Sequence, residues 1–450
     1  MPARPLLVLP RPNLVAPPPA PRGGSRIRLP TRDRQISEFG PVFARLRDVL
    51  DRAEALELRS DPSSLAPDRV IVFEFAGTIA NFLTAAANVP GLEFMAEYEG
   101  DFPPDESFAM IDTRRATAGQ DRTDQDVSGR LYLAMPDLRA LSELLRLWQM
   151  WEAGEPMPRG YAPFGSLFQQ LRRLRTWGPQ DRIPDETVAY WREEAERRSD
   201  EPVRTEIEFW FRQSEARRRQ ASQTIAGMIS SGGGRIVDEA VIPEISYHAA
   251  LVDIPAGEVR NLMTRTEVQL ALADDVMFLR PQSICVGGVD VEAAEDGSPV
   301  ERARPAADEQ PIAALFDGMP MQAHDWLEGR LLLDDPDDVE GRVLVRDRVH
   351  GTAMASLILH GDRNENGPSI GRPLYVRPLM VIENGREVTD RDGLLVDTIY
   401  RAVVRMKGSG TRGCSAFCIS GEFIARRFAS AFCRNNQPAR APARFFVRAL

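Results

Sequence analysis

Between residues 204 and 283 the sequence switches repeatedly between strand and helix periodicity, and that succession restricts the fold more than any other feature. RTEIEFWFR alternates as a strand does, SEARRRQASQTIAGMISSGG carries apolar residues at helical spacing and ends in glycines, and RIVDEAVIPEISYHAALVDIP supplies two more strands. AGEVRNLMTR reads as a short helix and ADDVMFLRP as a last strand. Side chains alternate across a strand but return every 3.6 residues on a helix, so one pattern does not serve both. The predicted order is β-α-β-β-α-β.

That order is the one of a ferredoxin-like unit, predicted here over 204–283. Ahead of it, RVIVFEFA reads as a strand, GTIANFLTAAANV as a helix and GLEFMAEYEG as another strand. GRLYLAMPDLRALSELLRLWQMWEAG is a strand followed by a helix with Asp137 at its N-cap. Together they predict an N-terminal α+β domain over 36–155, after a disordered Pro- and Arg-rich arm over 1–35. Helices in PFGSLFQQLRRLRTW and DETVAYWREEAERRSD predict a helical connector over 156–203, and the Gly-, Pro- and acid-rich stretch 284–310 reads as a linker.

With 450 residues, 43% hydrophobic and 27% charged, the chain holds enough apolar material for two or three cores, at roughly 150 residues per domain. A net charge of -10 excludes a phosphate backbone as main partner, because counterion release needs clustered cations, so no nucleic-acid partner is expected. Lys407 is the only lysine, a bias that points to codon composition rather than arginine chemistry. No run of about 18 apolar residues occurs, so no membrane partner is expected. Prolines break the apolar start before it forms a secretory core, and a cytoplasmic location is expected. Cys285, Cys414, Cys418 and Cys433 have no histidine near enough in sequence to complete a metal set, so no metal site or bound cofactor is expected.

PIAALFDGMP is a short apolar strand ending in Asp317 and a glycine, the end at which open α/β sheets carry functional groups. Alone, Asp317 reads as a strand-ending turn cap. Thirty-three residues on, VHGTAMASLILHGD opens an apolar helix with His350, where Gly351 permits close backbone approach and Thr352 can serve first-turn amides. A general base needs an imidazole in a fixed place, with one ring nitrogen oriented by a carboxylate. Asp317 and His350 are the candidate catalytic residues.

This pair, an apolar strand ending in Asp-Gly followed by His-Gly-Thr opening an apolar helix, resembles the subtilisin-like serine proteases, or subtilases. The resemblance implies a serine endopeptidase acting on a protein or peptide, with Asp317 holding the imidazole and His350 as general base. It implies the first part of a parallel sheet with flanking helices over 311–410, GRPLYVRPLMVI being the next strand and DGLLVDTIYRAVVRM the next helix. The ferredoxin-like unit would then stand where many subtilases carry a propeptide. The fold class expected is α/β: a partial subtilisin-like parallel sheet with flanking helices, preceded by ferredoxin-like α+β domains. Gly318 and Ala353 stand where the family often has Ser or Thr and a second His.

The family places its nucleophile in Gly-Thr-Ser at a helix start, and none of Ser356, Ser369, Ser409, Ser415, Ser420 and Ser430 has that context. From 401 to 450 there are ten Lys and Arg against the single acid Glu422, in an otherwise acidic chain. The tail over 411–450 is therefore read as aberrant, the product of a changed reading frame after about Gly410, and the chain as inactive for want of its serine. Of the remaining candidates, His324 and Asp325 read as surface loop, His248 as half-buried on a strand, and His360 as a partner of its helix's C-terminal dipole. Asp334–Glu340 reads as a solvated acid loop, with a structural Ca²⁺ as its metal alternative. GDRNENGPSIG lacks the Gly-Lys-Ser/Thr ending of a phosphate cradle. A second class of function is a non-catalytic regulatory protein that binds a protein partner through its N-terminal α+β domains. A third is an unrelated α/β enzyme using Asp317 and His350 otherwise, which side chains placed far apart would support.

Overall fold

The computed structural model describes residues 25–51, 65–112, 119–122, 124–197, 201–265, 268–282, 286–287, 309–361, 369–383, 386–408, 416–419 and 446–448. They form a mixed α/β structure of several small sheets with helices packed against them.

Helix α1, Arg32–Asp51, comes first, preceded by the strand Ser25–Arg28, which pairs with Ala109–Asp112. The arm expected over 1–35 is thus part of the fold from Ser25 onward: the Gln35 amide is buried and donates to the carbonyls of Phe168 and Leu171. Strand β1, Ile71–Ala76, is buried along its whole length. Helix α2, Phe82–Ala87, and strand β2, Leu92–Phe102, follow, then β3, Val127–Pro136, and helix α3, Leu138–Glu152. Asp137 caps α3 as its sequence predicts, accepting from the amides of Arg139 and Ala140.

The expected connector departs from its reading. The helix in PFGSLFQQLRRLRTW stops at Gln170 as α4, Ala162–Gln170, and Leu171–Thr176 continues as strand β4. Leu171, Arg173 and Arg175 alternate with Arg172, Leu174 and Thr176, and pairing with β1 decides the conformation. The sheet runs β2-β3-β1-β4, all antiparallel, with α1, α3 and α4 on one face around Phe43, Trp148 and Phe168.

After helix α5, Asp185–Arg197, the predicted six-element unit is present. It comprises β5, Val203–Phe209; α6, Glu215–Ser231; β6, Arg235–Ile242; β7, Tyr247–Ile254; α7, Ala256–Met263; and β8, Val276–Pro281. The strands lie β8-β5-β7-β6, all antiparallel. Ala250, Val252 and Ile254 face Ile225, Ile229 and Val259 of the two helices, whereas Tyr247, Ala249 and Leu251 turn to the opposite face.

That opposite face is covered by the C-terminal part of the chain. Strand β9, Val286–Gly287, lies within the expected linker, followed by β10, Ala313–Asp317; β11, Leu331–Leu333; helix α8, Val349–His360; β12, Leu374–Pro378; β13, Met380–Glu383; β14, Arg386–Thr389; and helix α9, Leu395–Gly408. The tail adds β15, Ala416–Ile419, and β16, Phe446–Arg448; its remainder lies outside the described residues. A parallel sheet runs β11-β12-β10-β15-β16, so the first strand is central and the chain builds first on one side of it, then on the other. Ala314 and Phe316 pack with α9 and with Tyr247, Ala249 and Leu251, while Leu315 packs on Met354, Ala355 and Leu359 of α8. Asp317 follows in the same alternation and ends the central strand on the side of α8.

Candidate active site

Asp317 and His350 come together. The Nε2 of His350 lies 3.0 Å from Oδ1 of Asp317, whose side chain is 0% exposed against 12% for the imidazole. Asp317 Oδ1 also accepts from the amide of Gly318 at 2.7 Å, and the Asp317 carbonyl accepts from Leu379 at 2.8 Å. The first bond holds the carboxylate, and the second ties the backbone of Asp317 at the end of β10 to the end of the adjacent parallel strand β12. The imidazole is carried by the first turn of α8, which the apolar residues Met354, Ala355 and Leu359 press against the sheet.

The backbones of the two motifs almost touch. A Cβ on Gly351 would overlap the carbonyl of Gly318, so both glycines are required by proximity rather than by turn geometry. Thr352 does not cap the helix as expected: its hydroxyl donates to the carbonyl of Arg348 and accepts from Met321 N at 2.9 Å. The cap comes instead from Glu387 on β14, which the sequence reading missed. Its Oε1 accepts from His350 N at 3.1 Å and its Oε2 from Gly351 N at 3.3 Å. A side chain on Gly318 would collide with the same Oε2.

Two carboxylates and an imidazole thus share a nearly dry site. No family model matches the chain, and no curated protein is significantly similar to it. Burial opposes the charged form of His350, but the Asp317 hydrogen bond and the charges of Asp317 and Glu387 outweigh it and hold the imidazole above its ordinary pKa. Burial, together with the charge of Asp317, pushes the Glu387 carboxyl up to about 7, although His350 and the two amides favour its ionised form. An oriented imidazole with raised basicity can take a proton and hold it.

One feature departs from the serine protease pattern, where the carboxylate takes Nδ1 and the nucleophile meets Nε2. Here the carboxylate takes Nε2, and the other ring nitrogen, Nδ1, is buried. Of the serines after His350, Ser356 is buried in α8, and Ser369 lies 2.8 Å from Nδ1 of His360. Ser409, Ser415, Ser420 and Ser430 lie outside the described residues.

The other candidates sit elsewhere. His324 accepts from Trp326 N at 3.3 Å through its Nδ1, and Asp325 is exposed. His360 is buried at the end of α8, its Nε2 3.0 Å from the carbonyl of Trp326, so it joins that loop to the helix as well as ending it. His248 is 1% exposed rather than half-buried: it stacks on Phe209, and its Nε2 lies 3.0 Å from Ser222 Oγ and 3.2 Å from Glu239 Oε1. Ser and Glu share one ring nitrogen there, so the cluster lacks the two-sided geometry of a proton relay. In the acid run, Asp334 binds Tyr375 and Arg405, Asp335 caps the turn at Val339, and Asp337 pairs with Arg377. Their carboxylates point to separate partners rather than to one centre.

Proposed function

We propose that residues 311–408 carry the Asp–His half of a subtilase-type serine endopeptidase, with Asp317 orienting His350 as general base. The observation that carries this reading is the 3.0 Å contact between Asp317 and His350 at the carboxyl end of the central parallel strand. The carboxylate would fix the ring and stabilise the imidazolium formed when the base removes a proton from a nucleophile. Side chains far apart would have supported the third class of function, and they are in contact.

Two further observations support it. The β-α-β-β-α-β unit has the strand order of a ferredoxin-like fold, and it meets α9 through the open face of its sheet. Asp238 of β6 accepts from Leu394 N at 2.9 Å, beside the first turn of α9. The segment that leaves the unit pairs as β9 with β14, Gly287 opposite Glu387, and so runs alongside the Asp–His site. A propeptide-like role for residues 204–283 fits this packing.

On this reading residues 1–450 by themselves are a poor catalyst, because no Gly-Thr-Ser context follows His350 within them. Casein and fluorogenic-peptide assays of the protein and of His350→Ala test it. Both should give only background hydrolysis, and turnover that His350→Ala abolishes would overturn the assignment of inactivity.

A further inference from the structure

We infer that Glu387 is a positioning residue of the Asp317–His350 pair: seated over Gly318, its carboxylate anchors the first turn of α8 and so fixes the imidazole against Asp317. This rests on the reading of the pair as a base and its orienting acid, and adds a third group to it.

Three independent pieces of geometry converge on this carboxylate. First, α8 has no capping side chain of its own at Arg348, and Glu387 supplies acceptors to the amides of His350 and Gly351. An anion at a helix N-terminus meets both the unsatisfied N–H groups and the positive end of the dipole. Secondly, the volume beside Gly318 that a side chain would fill is taken by Glu387 Oε2. The glycine after Asp317, where subtilases often carry Ser or Thr, is the residue that makes room for Glu387. Thirdly, Glu387 is only 5% exposed, so its charge acts on the imidazole with little screening.

The groups facing it are few. Asp317 comes from β10 and His350 from α8, while its cross-strand partners Gly287 on β9 and Ile382 on β13 carry no charge. The charges of His350 and Glu387 therefore act on each other across the contact at the start of α8. A residue that merely filled space would leave the proton affinity of His350 unchanged when replaced by an isostere.

The test is the ¹⁵N titration of the His350 imidazole in the full chain and in Glu387→Gln, which removes the charge and keeps the shape. The expected result is a fall in proton affinity of about threefold or more, as loss of a nearby opposite charge requires. An unchanged titration in folded Glu387→Gln overturns the inference. Should that variant not fold, the wild-type protein decides by the exchange of the His350 and Gly351 amides against pH. Protection beyond the intrinsic pH dependence of exchange that weakens as the Glu387 carboxyl takes up its proton supports the anchor, and protection indifferent to that event overturns it. Neither readout depends on peptide turnover, and a His350 titration that Asp317→Asn leaves in place would sink the reading of the pair as base and orienting acid while leaving the Glu387 result standing.

Discussion

At the scale of single residues, the two glycines and Glu387 make predictions that differ in kind. Gly318→Ala places a methyl group against a side-chain oxygen, which can move, so it should cost about 1–3 kcal/mol in urea denaturation, as overpacking does. The loss should shrink in the double variant Gly318→Ala with Glu387→Ala, because the colliding atom is gone; equal losses with and without Glu387 would refute the contact. Gly351→Ala collides with backbone instead, so no shortening of Glu387 should rescue it. The same carboxylate gives stability a pH dependence. Its folded pKa of about 7 lies above its usual value of 4.5, so the folded state binds the extra proton between those values and stability declines as pH rises through that window. His350, also raised, contributes stability that is present below about 6.5 and lost at higher pH, as its proton leaves the folded state. Denaturation midpoints should fall from pH 5 to 8, and Glu387→Gln should flatten the lower part of that slope.

At the scale of elements, local pattern was a good guide wherever the signal was local. The alternation of RTEIEFWFR, the glycines that end α6 and the Asp137 cap before α3 all lie within a few residues of what they specify. Strand β4 was not legible, because LRRLRT carries a mixed pattern after a genuine helix, and its conformation follows from Phe73 and Val72 of β1 a hundred residues earlier. Glu387 was hidden for the same reason. Nothing in GREVT marks a helix cap, and the amides it serves are 36 and 37 residues upstream. The burial of His248 was missed because strand alternation gives a face but not what covers it, which here is Phe209 and Ser222. The contact between Asp238 and the start of α9 gives a further check on element packing. Asp238→Ala should cost about 1 kcal/mol, the usual worth of a cap, measurable in urea denaturation; no loss would mean the two units associate without it.

At the scale of the whole molecule, the N-terminal sheet and the six-element unit are joined by a shared core. Trp177 stacks edge-on with Trp210 and Phe278 and donates its Nε1–H to the carbonyl of Met277 at 2.9 Å. Around them, Arg69 and Arg182 both meet Asp274, and Arg212 meets Glu93 and Asp68. Trp210 is buried among Val70, Val72, Leu133 and Met135, so Trp210→Ala should cost about 3–5 kcal/mol and lower the stability of both regions together. Hydrogen exchange read separately in β3 and β5 checks this, and a loss confined to one strand would show that the regions are independent. The six-element unit is held in turn to α9, so the Asp–His site rests on a framework that begins with the strand at Ser25.

The claim on which the rest depends is that Asp317 steers the proton of His350, and long-range ¹H–¹⁵N NMR of the imidazole in the wild type and in Asp317→Asn measures it directly. The account predicts a neutral ring protonated on Nε2, the nitrogen facing Asp317, and a proton affinity about tenfold or more lower in the variant. A neutral ring protonated on Nδ1, with a titration that Asp317→Asn leaves in place, would contradict it.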